Sequence, residues 1–250
     1  MNKRKIFTLA LAVMMIAILA IGGTLAYFTS EDTADNVFTM GNVEIDLQED
    51  FEQNSNLQPG LNINKDVRVQ NIGTNDAYVR IHLAIPTIMD DGDPTFNASR
   101  NFLHWNFSAD SVEFGQWSWL PEFSYGTGYK GNGEGNWNFY TTVIDGIEYN
   151  VYVATYRSAL GAGEITGTDA ITNVYLDTSV NAKANRDENG EVISYTYSDN
   201  KGNEFTLTVE EAQQITVKVW AEGTQTATFE NAYDALNTAF GVPGTYNPWN

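Results

Sequence analysis

The feature that most constrains the fold of this chain is a series of short β-rich runs separated by Gly, Asn and Asp. Two of these runs, residues 139–144 and 147–153, flank Asp145-Gly146. Asp-Gly between β-rich flanks is typical of a two-residue turn with positive φ at both central positions. The sequence therefore predicts a β-hairpin in the middle of the chain.

Residues 42–47 and 63–69 alternate apolar and polar side chains with a period of two, which predicts strands with one solvated face. Further β-rich runs at residues 77–85, 173–176, 192–197, 204–209 and 215–220 predict further strands. Turn residues at 71–76 and 199–203 predict two further hairpins, 63–69 with 77–85 and 192–197 with 204–209. Many short strands and few helical patterns predict an all-β fold, a jelly-roll-like antiparallel β-sandwich.

Two segments depart from the strand pattern. Residues 229–240 carry apolar side chains at helical spacing, and Gly241 and Pro243 follow, which predicts a short C-terminal helix. Residues 90–130 are rich in aromatic side chains and form an apparent insertion between strands. Trp105, Trp117 and Trp119 within it can form either a carbohydrate-stacking platform or a small core under a long loop, and the sequence leaves both open.

The N-terminus has the layout of a secretory signal peptide. Three basic residues precede an apolar run, and Gly22-Gly23 leads to Thr24-Leu25-Ala26. We expect cleavage between Ala26 and Tyr27, and export from the cytoplasm. The apolar run is shorter than the 20 or so residues of a spanning helix, which makes an uncleaved anchor the alternative. Residues 27–250 are then expected to form one β-sandwich domain, since about 220 residues suffice for a single all-β unit.

Charge and composition exclude several classes of function. The whole chain has 13 Lys and Arg against 32 Asp and Glu, a net charge of -19. Residues 1–26 contribute three basic residues and no acidic one, so the exported part carries -22. Such a charge repels nucleic acid and anionic lipid, so we expect neither as a partner. Cysteine is absent, which removes disulfides, thiolate metal sites and thiol nucleophiles.

Residues with catalytic or metal-binding chemistry are sparse. His82 and His104 are the two histidines of the chain, and no His-Glu-x-x-His zinc motif, serine-nucleophile elbow or phosphate-binding loop is present. Packing is the expected role of both histidines, and we expect no catalytic residues. The acidic groups suit calcium but lack the spacing of a twelve-residue calcium loop, and solvated turns are the favoured alternative. These groups are Asp90, Asp91 and Asp93, and Asp187, Glu188 and Glu191.

Motifs at both ends resemble the TasA/camelysin-type secreted biofilm matrix proteins of Gram-positive bacteria. The first is the junction Gly22-Gly23-Thr24-Leu25-Ala26-Tyr27-Phe28-Thr29, followed by an acidic stretch and Phe38-Thr39-Met40-Gly41. Residues 57–80, with a Pro-Gly turn and an Asn-x-Gly strand, and residues 219–241, with the closing strand and helix, are similar as well. The resemblance implies export through a SipW-type signal peptidase.

The resemblance also implies a jelly-roll subunit of extracellular fibres, located in the matrix or on the cell surface. The freed segment, residues 27–40, would insert as a strand into the next subunit, with Tyr27, Phe28, Val37 and Phe38 as donor residues and apolar anchors at Phe28, Val37 and Phe38. Self-association is the principal partnership implied, with accessory matrix proteins or glycans as further partners. Two alternatives stay open: a surface adhesin or carbohydrate-binding module, and a camelysin-like metalloprotease, for which the residues offer no zinc pattern.

Overall fold

Strands make up most of the regular structure in the computed structural model of this chain. The structure describes residues 42–51, 58–92, 102–106, 113–114, 116–120, 138–214 and 216–249, all of which belong to one compact unit, residues 41–250. The predicted signal peptide, cleavage site and donor segment lie outside the described residues. Among the described residues, no helix is long and apolar enough to cross a membrane.

The described strands form three antiparallel sheets. Their bounds are β1 (Ile45–Phe51), β2 (Ile63–Asn71), β3 (Ala77–Pro86), β4 (Leu103–Trp105), β5 (Glu113–Phe114), β6 (Trp117–Ser118), β7 (Phe139–Ile144), β8 (Ile147–Tyr156), β9 (Ile171–Leu176), β10 (Asn181–Arg186), β11 (Val192–Ser198), β12 (Glu204–Thr208) and β13 (Lys218–Gln225). Sheet A has the order β1-β2-β9-β4, and sheet B has the order β13-β3-β8-β6-β5, with β7 also paired to β8. Sheet C is β10-β11-β12.

The main core lies between sheets A and B. Val67 and Val69 of β2 and Ile171 of β9 contribute to it from sheet A, and Ile81 and Leu83 of β3 contribute from sheet B, each at most 1 % exposed. Inward and outward residues alternate strictly along β2. Two sheets that share one apolar core through alternating strands make a β-sandwich. The predicted all-β sandwich is confirmed.

The predicted hairpin of residues 63–69 with 77–85 is wrong. β2 pairs with β1 and β9 in sheet A, whereas β3 pairs with β13 and β8 in sheet B. The connection at residues 72–76 therefore crosses from one sheet to the other. Period-two alternation shows that a segment is a half-buried strand, but it carries no information about which neighbour the strand pairs with.

Asn71 holds this crossing in place. Its Nδ2 lies 2.7 Å from the carbonyl oxygen of Asn75, 2.9 Å from that of Leu160 and 3.2 Å from that of Gly161. Its Oδ1 accepts a hydrogen bond from the Gly73 backbone N–H at 3.0 Å. Asn71 is fully buried. A buried amide thus joins this connection to the loop at residues 160–161 through hydrogen bonds to carbonyl groups.

The other two hairpins are confirmed. β7 and β8 pair in register around Asp145 and Gly146, whose φ angles are 51° and 82°. These are the two positive φ values that the Asp-Gly pair predicts. β11 and β12 pair across residues 199–203. β10 extends this hairpin into sheet C, and the apolar side chains in its sequence Asn-Ala-Lys-Ala-Asn-Arg are two alanines, too weak a signal to have revealed the strand.

The C-terminal helix is confirmed with a shifted start. The described residues contain two helices, α1 (Val209–Gln214) and α2 (Ala232–Phe240). α2 begins after Asn231, whose side chain accepts a hydrogen bond from the Asp234 N–H, rather than at Phe229. Its buried side chains are Ala232, Tyr233, Ala235 and Leu236. α2 contacts β3 and β13, on the outer face of sheet B.

The described parts of the aromatic-rich segment belong to the sandwich itself. β4 joins sheet A, while β5 and β6 join sheet B. Trp105, Trp117 and Trp119 are 3 %, 0 % and 1 % exposed. The ring centroid of Trp105 lies 5.9 Å from that of Trp119 and 4.6 Å from that of Tyr152. Of the two interpretations left open for these tryptophans, a core role is correct, and the carbohydrate platform is wrong because no ring face is exposed.

Candidate functional site

At one side of the sandwich, two edge strands are neighbours: β1 of sheet A and β13 of sheet B. Within the described residues, β1 pairs only with β2, and β13 pairs only with β3. The outer edges of these two strands therefore present backbone N–H and C=O groups that no described strand uses. We call β1 and β13 together the β1–β13 edge.

The β1–β13 edge is apolar on its inner face and only partly covered. Inward side chains of both strands pack against the core yet remain half-buried, whereas their neighbours on β2 and β3 are fully buried. These half-buried side chains are Val43, Ile45, Leu47, Val217, Val219 and Ala221. An added strand can pair with such an edge through its backbone and cover the partly exposed apolar side chains.

The two edge strands meet at Ile45 and Gly223. A Cβ added at Gly223 would lie 2.6 Å from Ile45 Cγ2, so the glycine is required for this approach. Further along β1, Glu49 pairs with the ammonium group of Lys65 at 3.3 Å, and the Lys65 side chain is 5 % exposed. The inner face of the edge therefore runs from an apolar contact to an ion pair.

A second cluster, the buried polar network, lies on the outer face of sheet B beneath α2. Arg80 Nε donates to Glu222 Oε2 at 2.6 Å, and its Nη1 donates to Asn237 Oδ1 at 2.9 Å. Arg80 Nη2 donates to the Gly241 carbonyl at 3.0 Å and to the hydroxyl of Tyr246. Arg80 thereby ties the helix and the C-terminal segment to the sheet.

His82 continues the network. Its Nε2 lies 3.2 Å from Glu222 Oε2 and its Nδ1 lies 3.1 Å from the Tyr140 hydroxyl, while the Trp249 Nε1–H donates to that same hydroxyl at 3.3 Å. An ionised Glu222 only accepts, so His82 donates from Nε2 and accepts from Tyr140 at Nδ1. The hydrogen bonds then run in one direction, from Trp249 through Tyr140 and His82 to Glu222.

Burial sets the protonation states in this network. Desolvation lowers the pKa of His82 and outweighs the hydrogen bond to Glu222, so the imidazole is neutral at pH 7. Burial alone would raise the pKa of Glu222, but the hydrogen bond from His82, the charge of Arg80 and the hydroxyl of Tyr246 together hold it below its ordinary value. Desolvation raises the pKa of Tyr140 to about 12.

Two of the acidic residues named as calcium candidates, Asp90 and Asp187, accept hydrogen bonds within the fold. Asp90 is 1 % exposed, and its carboxylate accepts from the Gly92 N–H at 3.1 Å and from the Tyr152 hydroxyl. Asp91 is half-buried, and Asp93 lies outside the described residues. Asp187 organises the turn between β10 and β11 by accepting backbone hydrogen bonds from Asn189 and Glu191.

His104 lies apart from this network, on sheet A. Its Nε2 is 3.1 Å from Asp177 Oδ2, and its ring stacks on Tyr175 with centroids 5.2 Å apart. Its side chain is 12 % exposed. Both histidines are packed within the fold, as the sequence predicted.

The sequence alone did not identify the network around Arg80. A signal was nevertheless present, because Arg80 and His82 occupy alternate positions of an otherwise apolar strand and so lie on one face. A charged residue inside a strand buried on both faces requires a partner of opposite charge. Glu222 in β13 supplies it from a position 142 residues away in sequence.

Comparison with known proteins bears on the N-terminal part of the chain. Residues 2–93 match the family model described as camelysin metallo-endopeptidase. The resemblance to the camelysin family is confirmed. The matched residues extend from the predicted signal peptide through β1, β2 and β3. A search among curated proteins found no match.

The camelysin name implies a metal, and the residues that the structure describes do not fit one. Among the described residues, no group of three or more His, Asp or Glu side chains is placed to hold an ion. The buried pair of His82 with Glu222 is already bonded to the Arg80 guanidinium, a cation 2.6 Å from the carboxylate oxygen. His104 is matched with a single carboxylate, Asp177. No step of a metallopeptidase reaction can be assigned to these residues.

Proposed function

We propose that this camelysin-like chain is a secreted structural subunit of extracellular fibres rather than a peptidase. In this proposal a SipW-type signal peptidase cleaves after Ala26, and the freed segment of residues 27–38 pairs with the β1–β13 edge of the next chain. The observation that supports it best is the half-buried apolar inner face of two neighbouring edge strands. An edge of this kind exposes a sandwich to strand addition unless a partner covers it.

The donor segment has the composition that the edge needs. Phe28, Val37 and Phe38 are apolar anchors in a polar stretch, and the inner face of the β1–β13 edge offers apolar contacts. The twelve residues from 27 to 38 exceed the seven residues of β1 and the eight of β13. One donor can therefore pair along the whole of either edge strand, with side chains alternating between core and solvent.

Strand donation of this kind generates a filament. The donor precedes β1 in sequence and the acceptor is a different surface, so each chain has one of each. A contact between two different surfaces that does not close on itself produces an open chain of subunits. The proposal therefore places the product in the extracellular matrix or on the cell surface, with other copies of this chain as the main partner.

Cysteine cross-linking tests the contact directly, because the chain has no cysteine of its own. One chain carries Val37→Cys and a second carries either Leu47→Cys on β1 or Ala221→Cys on β13, all starting at Tyr27. On mixing and oxidation we expect a disulfide-linked heterodimer with at least one of the two edge positions. The control carries Lys183→Cys instead, on an exposed strand of sheet C. Cross-linking to Lys183→Cys equal to that at the edge, or none to either edge position, contradicts the proposed contact.

The peptidase alternative has a separate test. The family description predicts casein cleavage by the purified protein that a chelator abolishes. We propose instead that the protein releases no soluble peptide from casein, with or without added Zn²⁺. The structural assignment would be overturned by casein cleavage that a chelator abolishes and added Zn²⁺ restores, provided that a control preparation shows no cleavage.

A further inference from the structure

Two tryptophans form a partly exposed pair on the outer face of sheet B. Trp220 lies on β13 and is 44 % exposed, and Trp249 lies near the C-terminus and is half-buried. Their ring centroids are 6.3 Å apart, and the ring planes are tilted by 57°. The two rings thus form an open angle at the surface. This pair differs from the three buried tryptophans of residues 105–119.

The buried polar network holds one member of the pair in place. Trp249 Nε1 donates a hydrogen bond to the Tyr140 hydroxyl at 3.3 Å. The Trp249 backbone N–H donates a second one to Asn247 Oδ1 at 3.1 Å. Tyr140 is itself fixed by His82. Trp249 is therefore anchored before any ligand arrives, which reduces the entropy lost on binding.

Polar groups border the aromatic pair. Lys218 precedes Trp220 by two residues on β13, so both side chains lie on the same face. The Lys218 ammonium lies 2.6 Å from Asp145 Oδ2 and 5.8 Å from the centre of the Tyr149 ring. The Asp145 side chain is 79 % exposed. The surface therefore combines aromatic faces with a fixed ion pair that can accept and donate hydrogen bonds.

We infer that Trp220 and Trp249 form a binding platform for an uncharged polysaccharide. A pyranose ring has apolar C–H faces that stack on indole and hydroxyl groups that the adjoining Lys218 and Asp145 can bind. Two rings are too small for a stable protein interface, which buries about 800 Å² per partner. The net charge of -19 disfavours anionic polymers and anionic lipid. This activity is independent of fibre assembly.

Affinity electrophoresis tests the platform with a matched pair of polymers. The protein starting at Thr39, which lacks the donor segment and keeps the compact unit of residues 41–250, is run in native gels that contain hydroxyethylcellulose, galactomannan or laminarin, and in gels that contain the anionic carboxymethylcellulose. We expect retardation by at least one uncharged polymer and none by carboxymethylcellulose. Trp220→Ala should weaken the binding by about tenfold. Ile193→Ala, which removes a side chain of similar exposure from sheet C, should bind as the unmodified chain does.

Two further measurements exclude other causes. Tyr140→Phe keeps the aromatic ring but removes the hydroxyl that anchors Trp249, so it should weaken polysaccharide binding while Trp220 is intact. Sedimentation velocity should show the same assembly state for Trp220→Ala and the unmodified chain. No retardation by any uncharged polymer, equal retardation of Trp220→Ala, or a Trp220-dependent change of assembly state alone would overturn the platform.

Discussion

Arg80 and Glu222 face each other across the β3–β13 pairing, with Arg80 Nε 2.6 Å from Glu222 Oε2 and both side chains at most 4 % exposed. Arg80 also binds Asn237 of α2 and the Gly241 carbonyl. One buried guanidinium therefore joins β13, the C-terminal helix and the segment after it to the centre of sheet B. The stability of this half of the molecule depends on that charge remaining paired.

Removing the Glu222 carboxylate should destabilise the protein more than removing the charge of Asp169 from an ion pair at the surface. Glu222→Ala leaves Arg80 buried without its counter-ion, and we expect a loss of about 3–5 kcal/mol in the free energy of unfolding. Asp169→Asn is the control, since it breaks the Arg68 ion pair, in which the Arg68 side chain is 44 % exposed to screening water. Urea titration of both variants measures the difference. A loss in Glu222→Ala no larger than that in Asp169→Asn contradicts the structural role of the pair.

Acid should destabilise the protein through His82. Burial holds its folded pKa below the ordinary value of 6.5, so the unfolded chain binds the proton more readily. The contribution of neutral His82 to the free energy of unfolding is therefore complete above pH 6.5. It decreases as the pH falls toward the folded pKa, by up to about 1.4 kcal/mol per pH unit. Glu222, whose pKa is also lowered, adds a second decrease below pH 4.5.

The histidine contribution can be isolated by substitution. His82→Gln retains an amide that can bond Tyr140 and Glu222 but does not titrate. Between pH 7.5 and 5.5, we expect the melting temperature of the unmodified protein to fall and that of His82→Gln to remain nearly constant. His104→Gln is the matched control and should keep the decrease. Parallel pH profiles for the unmodified protein and His82→Gln would show that His82 is not the titrating group.

The crossing between the two sheets should depend on Asn71. Asn71→Ala removes the donor to the carbonyl groups of Asn75 and Leu160 in a buried site, and we expect a loss of about 1–3 kcal/mol. Asn64→Ala changes an exposed asparagine on the same strand and should stay within about 0.5 kcal/mol. Urea titration compares the two. Equal effects would mean that the amide does not determine the crossing.

Assembly should respond to charge on one face of β1 and not on the other. Leu47→Lys places an ammonium group on the half-buried inner face, whereas Asp46→Lys places one on the exposed outer face of the same strand. We expect both variants to fold, and we expect only Asp46→Lys to form fibres, because a donor strand would bury the charge at position 47. Circular dichroism checks folding and electron microscopy checks fibres. Normal fibres from Leu47→Lys would exclude β1 as the acceptor strand.

Local sequence patterns predicted local structure well. The Asp145-Gly146 turn, the hairpin of β11 and β12 and the helix before Gly241 follow from residues close together in the chain. The pairing of β2 was missed because its partners are β1 and the distant β9, and because the connection after it is bonded by Asn71 to Leu160, 89 residues away. The buried polar network and the exposed Trp220 were missed for the same reason, since burial depends on what the distant C-terminal segment covers.

The central claim is that the segment of residues 27–38 drives assembly by strand donation. Electron microscopy of the protein starting at Tyr27, beside the same protein lacking residues 27–38, measures this most directly, with circular dichroism as the check that both fold. We predict fibres from the longer protein and a folded monomer without fibres from the shorter one. Fibres of normal appearance from the shorter protein, or none from the longer one, would contradict the account.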